Sequence, residues 1–231
     1  MKTFLKQNFH YIFFTLLGLI ILSSCKKEDN GHPDGMGDPT KARVNVIHAS
    51  HDAGPVRLFI NDGLFVTGLL NYGRATGYYS ADPGNIDLDI MSEDNILLTG
   101  MRKNLEANEN YTILVSRQLG KQVLTTITDD WELPAKGKAK IRFVNTLFNS
   151  HGVSLNSGKD VLVALNDYMS AAPSSMEVSA KTYMLSVSSG NYKSIPKAIA
   201  LEAGKIYTIY TMGSVSGSGN SALEMGVFKN R

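Results

Sequence analysis

"LEANENYTIL" (Leu105–Leu114) and "LEAGKIYTIY" (Leu201–Tyr210) stand ninety-six positions apart and share Leu, Glu, Ala, Tyr, Thr and Ile at matching places. A repeat at such a spacing decides architecture before any local pattern does, because each copy must be one unit with its own place in the fold. Upstream of each copy, "KARVNVIH" (Lys41–His48) corresponds to "KAKIRFVN" (Lys138–Asn145) at nearly the same offset. Two related units are therefore expected, over 41–129 and 138–231, with 130–137 inside "DDWELPAKG" as the linker.

Each unit reads as strands. Val44, Val46 and His48 alternate with Arg43, Asn45 and Ile47; Val56, Leu58 and Ile60 alternate with Arg57 and Phe59; Ile86, Leu88 and Ile90 alternate with Asp87 and Asp89. A period of two, broken by turn clusters such as "HDAGP", "NDG" and "ADPGN", is the pattern of antiparallel sheets with one wet face. No segment beyond the first two dozen residues carries a sustained helical stripe. The fold expected is all-β: two tandem immunoglobulin-like (fibronectin/transthyretin-like) antiparallel sandwiches.

The repeated L-E-A-x-x-x-Y-T-I is similar to the tyrosine corner of immunoglobulin-like and fibronectin-like domains. There a phenol at the start of an apolar strand bonds back to the chain crossing between sheets. The resemblance gives Tyr111 and Tyr207 a structural role. With a single cysteine, Cys25, in the whole chain, neither unit has an intersheet disulfide, so packing must hold each sandwich.

That cysteine lies where an apolar run stops. Residues 1–24 have a basic start (Lys2, Lys6), an apolar stretch from Tyr11 to Leu22, and small residues Ser23 and Ser24 before Cys25, the order of a secretory signal too short for a stable span. "LSSC" resembles the lipobox of bacterial lipoproteins. The resemblance implies cleavage ahead of Cys25 and its lipidation by diacylglycerol and palmitate-like chains, with residues 25–40 as a flexible tether. Sulfur suits that chemistry because a thiolate is a good nucleophile. "KED" (Lys27, Glu28, Asp29) is similar to the export signal of some surface lipoproteins, so a lipid anchor in the outer membrane with cell-surface exposure is expected.

Removing Lys2 and Lys6 lowers the basic count from 23 to 21, against 21 acidic residues. A chain of zero formal charge lacks the dense positive surface of nonspecific nucleic-acid binding, so DNA and RNA are not expected partners.

"ARVNVIHASHDAGPVRLFINDG" (Ala42–Gly63) resembles the bacterial family catalogued as domain of unknown function 4397: a strand ending in "HAS", a turn with "DA", and a second strand running to an "xDG" hairpin. The resemblance is good over about 41–120 and weak over 138–212, as if a second copy had diverged. It implies an exported Ig-like sandwich, often in lipoproteins, and no enzymology.

Chemistry-bearing clusters are few. Ser50, His51 and Asp52 have the letters of a hydrolase triad, but three successive residues of an extended chain cannot place the imidazole between the other two side chains. A turn capped by Asp52 is the plainer reading. His48, His51, Asp52 and His151 are weighed as metal ligands and set aside, since Asn145 stands at the place of His48 in the second unit. No metal or cofactor is expected. Aromatic residues remain: Tyr72, Tyr78 and Tyr79 in "NYGRATGYY", and Trp131 between the units, are candidates for contacting a glycan or protein. The expectation is thus a non-catalytic binding, adhesion or spacer protein tethered to the membrane, with another envelope protein or a glycan as partner. The alternatives are a glycan-binding accessory protein of a polysaccharide-uptake system, and an envelope hydrolase centred on His48–Asp52.

Overall fold

β-Branched and aromatic residues at alternate positions build strands throughout, and turn residues end them. The first half of the chain carries β1 (Ala42–His48), β2 (Val56–Ile60), β3 (Gly63–Leu64), β4 (Tyr79–Ala81), β5 (Gly84–Ser92), β6 (Leu97–Leu105), β7 (Asn110–Gln118) and β8 (Lys121–Thr128). The second half carries β9 (Lys138–Val144), β10 (Val153–Ser157), β11 (Asp160–Leu165), β12 (Met176–Ser179), β13 (Lys181–Ser189), β14 (Tyr192–Lys193), β15 (Lys197–Leu201), β16 (Ile206–Met212) and β17 (Glu224–Lys229). The structure is a computed structural model, and it describes residues 37–148, 150, 152–166, 168 and 175–231. The leader, Cys25, most of the tether and His151 lie outside the described residues.

The described strands form four sheets, and the fold of the described residues is all-β. Two are ordered β4-β1-β7-β8 and β12-β9-β16-β17; the others are β3-β2-β5-β6, and β11-β10-β13-β14 with β15 also on β13. The second half thus repeats the strand order of the first. Within each half the two sheets face one another as an open sandwich. One core joins Val44, Val46, Leu58, Leu88, Ile90 and Ile113; the other joins Ile141, Phe143, Leu155, Leu185, Val187 and Ile209.

Two features differ from the expected antiparallel sheets with one wet face. First, β1 pairs β7 in parallel and β9 pairs β16 in parallel, with the other pairings between the described strands antiparallel. A parallel pair needs a long crossover, and β2 to β6 supply it for the first pair. Second, β1, β9 and β16 are buried at every residue but Lys138, and β7 over its first seven. Their outer faces meet: Ile47, Ala49 and Leu114 pack with Val144, Tyr210 and Met212 in a third core. The four sheets therefore stack, with the two mixed sheets innermost. All the described strands belong to one compact unit.

Tyr210 occupies the middle of this stack. It lies opposite Gly226 across β16 and β17, and a Cβ at position 226 would strike its ring. Its hydroxyl reaches the carbonyl of Gly73 in the other half, at 3.4 Å.

Candidate functional site

His48 ends β1 fully buried. Its Nε2 sits 2.7 Å from the Gly54 carbonyl and its Nδ1 accepts the Ser50 N–H at 3.3 Å, which assigns the proton to Nε2. Burial holds its pKa below the usual histidine range, so the ring is neutral. In the second half Asn145 does the same work, its Oδ1 accepting the Leu147 N–H two residues on. The Ser50 hydroxyl donates to Asp52 at 3.0 Å and does not meet the imidazole. These residues shape a turn. Among the described residues no three His, Cys, Asp or Glu side chains converge as a metal ion requires.

Tyr111 and Tyr207 are buried, and each phenol oxygen accepts a backbone N–H five residues upstream, from Glu106 and Glu202, both at 3.0 Å. The phenol closes the turn that carries the chain from one sheet to the other.

The four aromatic candidates do not form one platform. Tyr78 is 6 % exposed, and its hydroxyl donates to Asp129 at 2.6 Å while accepting from Asn230 at 2.7 Å, so its ring has no face for a ligand. Tyr72 packs against the third core with its ring edge-on to His48, and burial, then Glu224, push its phenol up to about 12. Tyr79 is exposed beside Phe65. Trp131 is half-buried, with the guanidinium of Arg43 at 4.9 Å, that of Arg231 at 5.7 Å, and Tyr78 edge-on at 5.2 Å.

Trp131 belongs to a buried polar junction that pattern reading missed. Asp129, with a side chain 2 % exposed, lies 2.6 Å from Arg142, itself 8 % exposed. It also accepts from Thr112 at 2.8 Å, while Arg142 donates to Thr208 at 2.7 Å. Burial pushes the Asp129 carboxyl up, and the Arg142 charge and the hydroxyl donors pull it back. Asp130 pairs with the buried Lys140 at 2.9 Å, and the Ala135 N–H donates to Glu177 at 3.0 Å. The segment expected as a linker is thus fastened to the second half and keyed to the first through Asp129.

The four central strands begin near this junction and end together elsewhere. Residues at or just past their ends, Ala49, Arg117, Thr146 and Gly213, line a cleft of about 390 Å³. Its walls add Leu119 and Gly120 of the β7–β8 turn, Leu147 and Phe148 after β9, and part of the Gly/Ser loop from Gly213 to Ser221. Arg117 pairs with Asp52 at its edge. Phe148 stands edge-on to Tyr168 at 5.6 Å, and the Tyr168 and Ser116 hydroxyls lie 2.9 Å apart. A concave site of this size between two modules, its largely polar wall broken by Leu119, Leu147 and Phe148, has room for a small ligand. His51 also lines the cleft; sequence reading weighs it and Asp52 for other chemistry and takes 213–221 as a flexible Gly/Ser loop, and joins none of these residues into one site, because the cleft exists only once the halves are joined.

Stacked open β-sandwiches with a cleft at their seam define the class of protein. Residues 42–156 match the family described as domain of unknown function (DUF4397), which supports that family for this segment. The match runs from the start of β1 into β10, so it crosses the seam and covers the first strand of the second inner sheet. No curated protein matches the chain.

Proposed function

We propose that this is a lipid-anchored, non-catalytic envelope protein that holds a ligand-binding cleft at one end of a rigid body. Cleavage before Cys25 and acylation of its thiol would tether it to the outer membrane, facing outward. Two acyl chains or more hold such an anchor firmly. In this reading both halves are Ig-like sandwiches, the second a diverged copy of the family domain, and Tyr111 and Tyr207 are their tyrosine corners.

One observation carries the proposal. The chain enters β1 at Ala42, beside the polar junction, whereas the cleft lies at the other end of the same strands. Seven residues of strand separate the two, roughly 23 Å at about 3.3 Å each. A tether at one end and a concave surface at the other is the arrangement of a presenting module. Against the hydrolase alternative stand the two backbone partners of His48, which occupy both its ring nitrogens, and the Ser50 hydroxyl donates to Asp52 rather than to an imidazole.

Labelling cells with palmitate tests the anchor: the wild-type chain should take up label, and Cys25→Ala should lose it and leave the membrane fraction. Protease added to intact cells should then remove the wild-type protein. A labelled protein that survives until lysis would place it on the inner leaflet and refute surface exposure.

A further inference from the structure

We infer that the cleft binds a neutral, hydroxyl-rich ligand, a saccharide unit, with Leu119 and Phe148 against its apolar face and Arg117 donating to its hydroxyls; this rests on the reading of the cleft as a binding surface.

The β7–β8 turn supplies the first observation. Leu119 and Gly120 both have positive φ, 48° and 80°, which makes a two-residue hairpin loop of the kind that favours Asn-Gly or Gly-Gly. The equivalent β2–β3 turn uses Asn61 and Asp62, residues suited to that conformation. A γ-branched apolar residue there is strained, and Leu119 is also 77 % exposed at the lip of the cleft. Neither folding nor solubility favours leucine in that place. A non-glycine residue held in the left-handed region points to a role in contact, the inference running from outlier to function.

Charge supplies the second. The ionisable residues on the cleft wall are His51 and Arg117, and Asp52 pairs with Arg117 at the cleft edge while accepting from Ser50. The site therefore has no strong pull on an anion or a cation. What it offers is the guanidinium of Arg117 and the hydroxyl-bearing residues Ser214 and Ser216 on its wall. Donors and acceptors set beside a leucine and a phenylalanine match a sugar ring, which carries hydroxyls at its rim and C–H groups on its face. The cleft volume of about 390 Å³ admits one or two such rings.

Calorimetric titration of the full-length lipoprotein in detergent tests this with maltohexaose, cellohexaose, xylohexaose and mannohexaose, and oligogalacturonate as the charged comparison. At least one neutral oligosaccharide should bind more tightly than oligogalacturonate. Leu119→Gly should weaken binding by about tenfold or more while leaving the melting temperature unchanged or higher, because glycine relieves the turn. Arg117→Gln should weaken it similarly. Binding that favours oligogalacturonate, binding indifferent to Leu119→Gly, or heats at the blank level for all four neutral sugars each overturn the proposal. Because titration needs no membrane, a failed anchor in the palmitate experiment leaves this result separately readable, and a failed titration leaves the anchor standing.

Discussion

Replacing Asp129 by alanine should separate a fused two-module body from two sandwiches that merely touch. The Asp129 side chain is 2 % exposed and that of Arg142 8 %, with 2.6 Å between them. Removing the carboxylate leaves the Arg142 guanidinium buried without its counter-ion and takes the acceptor from the Thr112 and Tyr78 hydroxyls. Tyr78 keeps the Asn230 amide as a donor to its oxygen but loses the acceptor of its own O–H, so the cost falls on Arg142, Thr112 and Tyr78 together. Breaking a buried pair from one side costs about 3–5 kcal/mol, a large part of the stability of an ordinary domain. Urea unfolding, followed by Trp131 fluorescence and by circular dichroism, reads this directly. The wild type should give one transition by both probes, and Asp129→Ala a midpoint lowered to match that loss. The exposed Arg102–Asp87 pair on the outer sheet is the control, and Asp87→Ala should leave the midpoint in place. A loss below about 1 kcal/mol for Asp129→Ala would refute the reasoning, since that is the scale of a surface pair.

Three further outcomes are expected. Tyr111→Phe and Tyr207→Phe each remove one buried hydrogen bond to a backbone N–H and should cost about 1 kcal/mol or somewhat more by urea titration; unchanged midpoints would deny both phenols a structural role. Gly226→Ala drives a methyl into the Tyr210 ring and should cost about 1–3 kcal/mol by overpacking, with matched loss in both halves because Tyr210 sits in the shared core. Stability should fall as pH drops below about 6.5: His48 is buried neutral with a lowered pKa, so the unfolded chain binds a proton that the folded one does not. His48→Asn, which copies the second half's Asn145, should flatten that slope, and a slope unaffected by the substitution would contradict the assignment.

The alternating residues of β2 and β5 made the sandwich interiors legible, since Val56, Leu58, Ile86, Leu88 and Ile90 are all buried as their period implies. The same rule misread β1. Arg43, Asn45 and Ile47 occupy the face that period two assigns to water, yet all three are buried, because a second mixed sheet covers them. A polar outward face looks alike in sequence whether solvent or a hydrogen-bonding sheet lies against it. Two signals separate the cases. Outward positions on β5 hold Asp87 and Asp89, whereas those on β7 and β16 hold Asn110, Thr112, Thr208 and Tyr210, residues that can be satisfied without water. Ile47, Leu114 and Val144 also break the polar run at matching heights.

The cleft was less legible still. Its residues come from four strand ends distant in sequence, and no periodicity reports where strand ends converge. Only Leu119 carried a local signal, an apolar residue before glycine in a hairpin that calls for Asn or Gly. The aromatic candidates drew attention by composition, but ring type alone does not tell Tyr78, sealed by Asp129 and Asn230, from an exposed ring.

Nitrogen-15 relaxation of the backbone amides tests most directly whether the two halves are one body. Amides of 41–129 and of 138–231 should report a single shared rotational correlation time, as a chain locked through Asp129, Arg142 and Tyr210 must. Two distinct and shorter times, one for each half, would contradict the account.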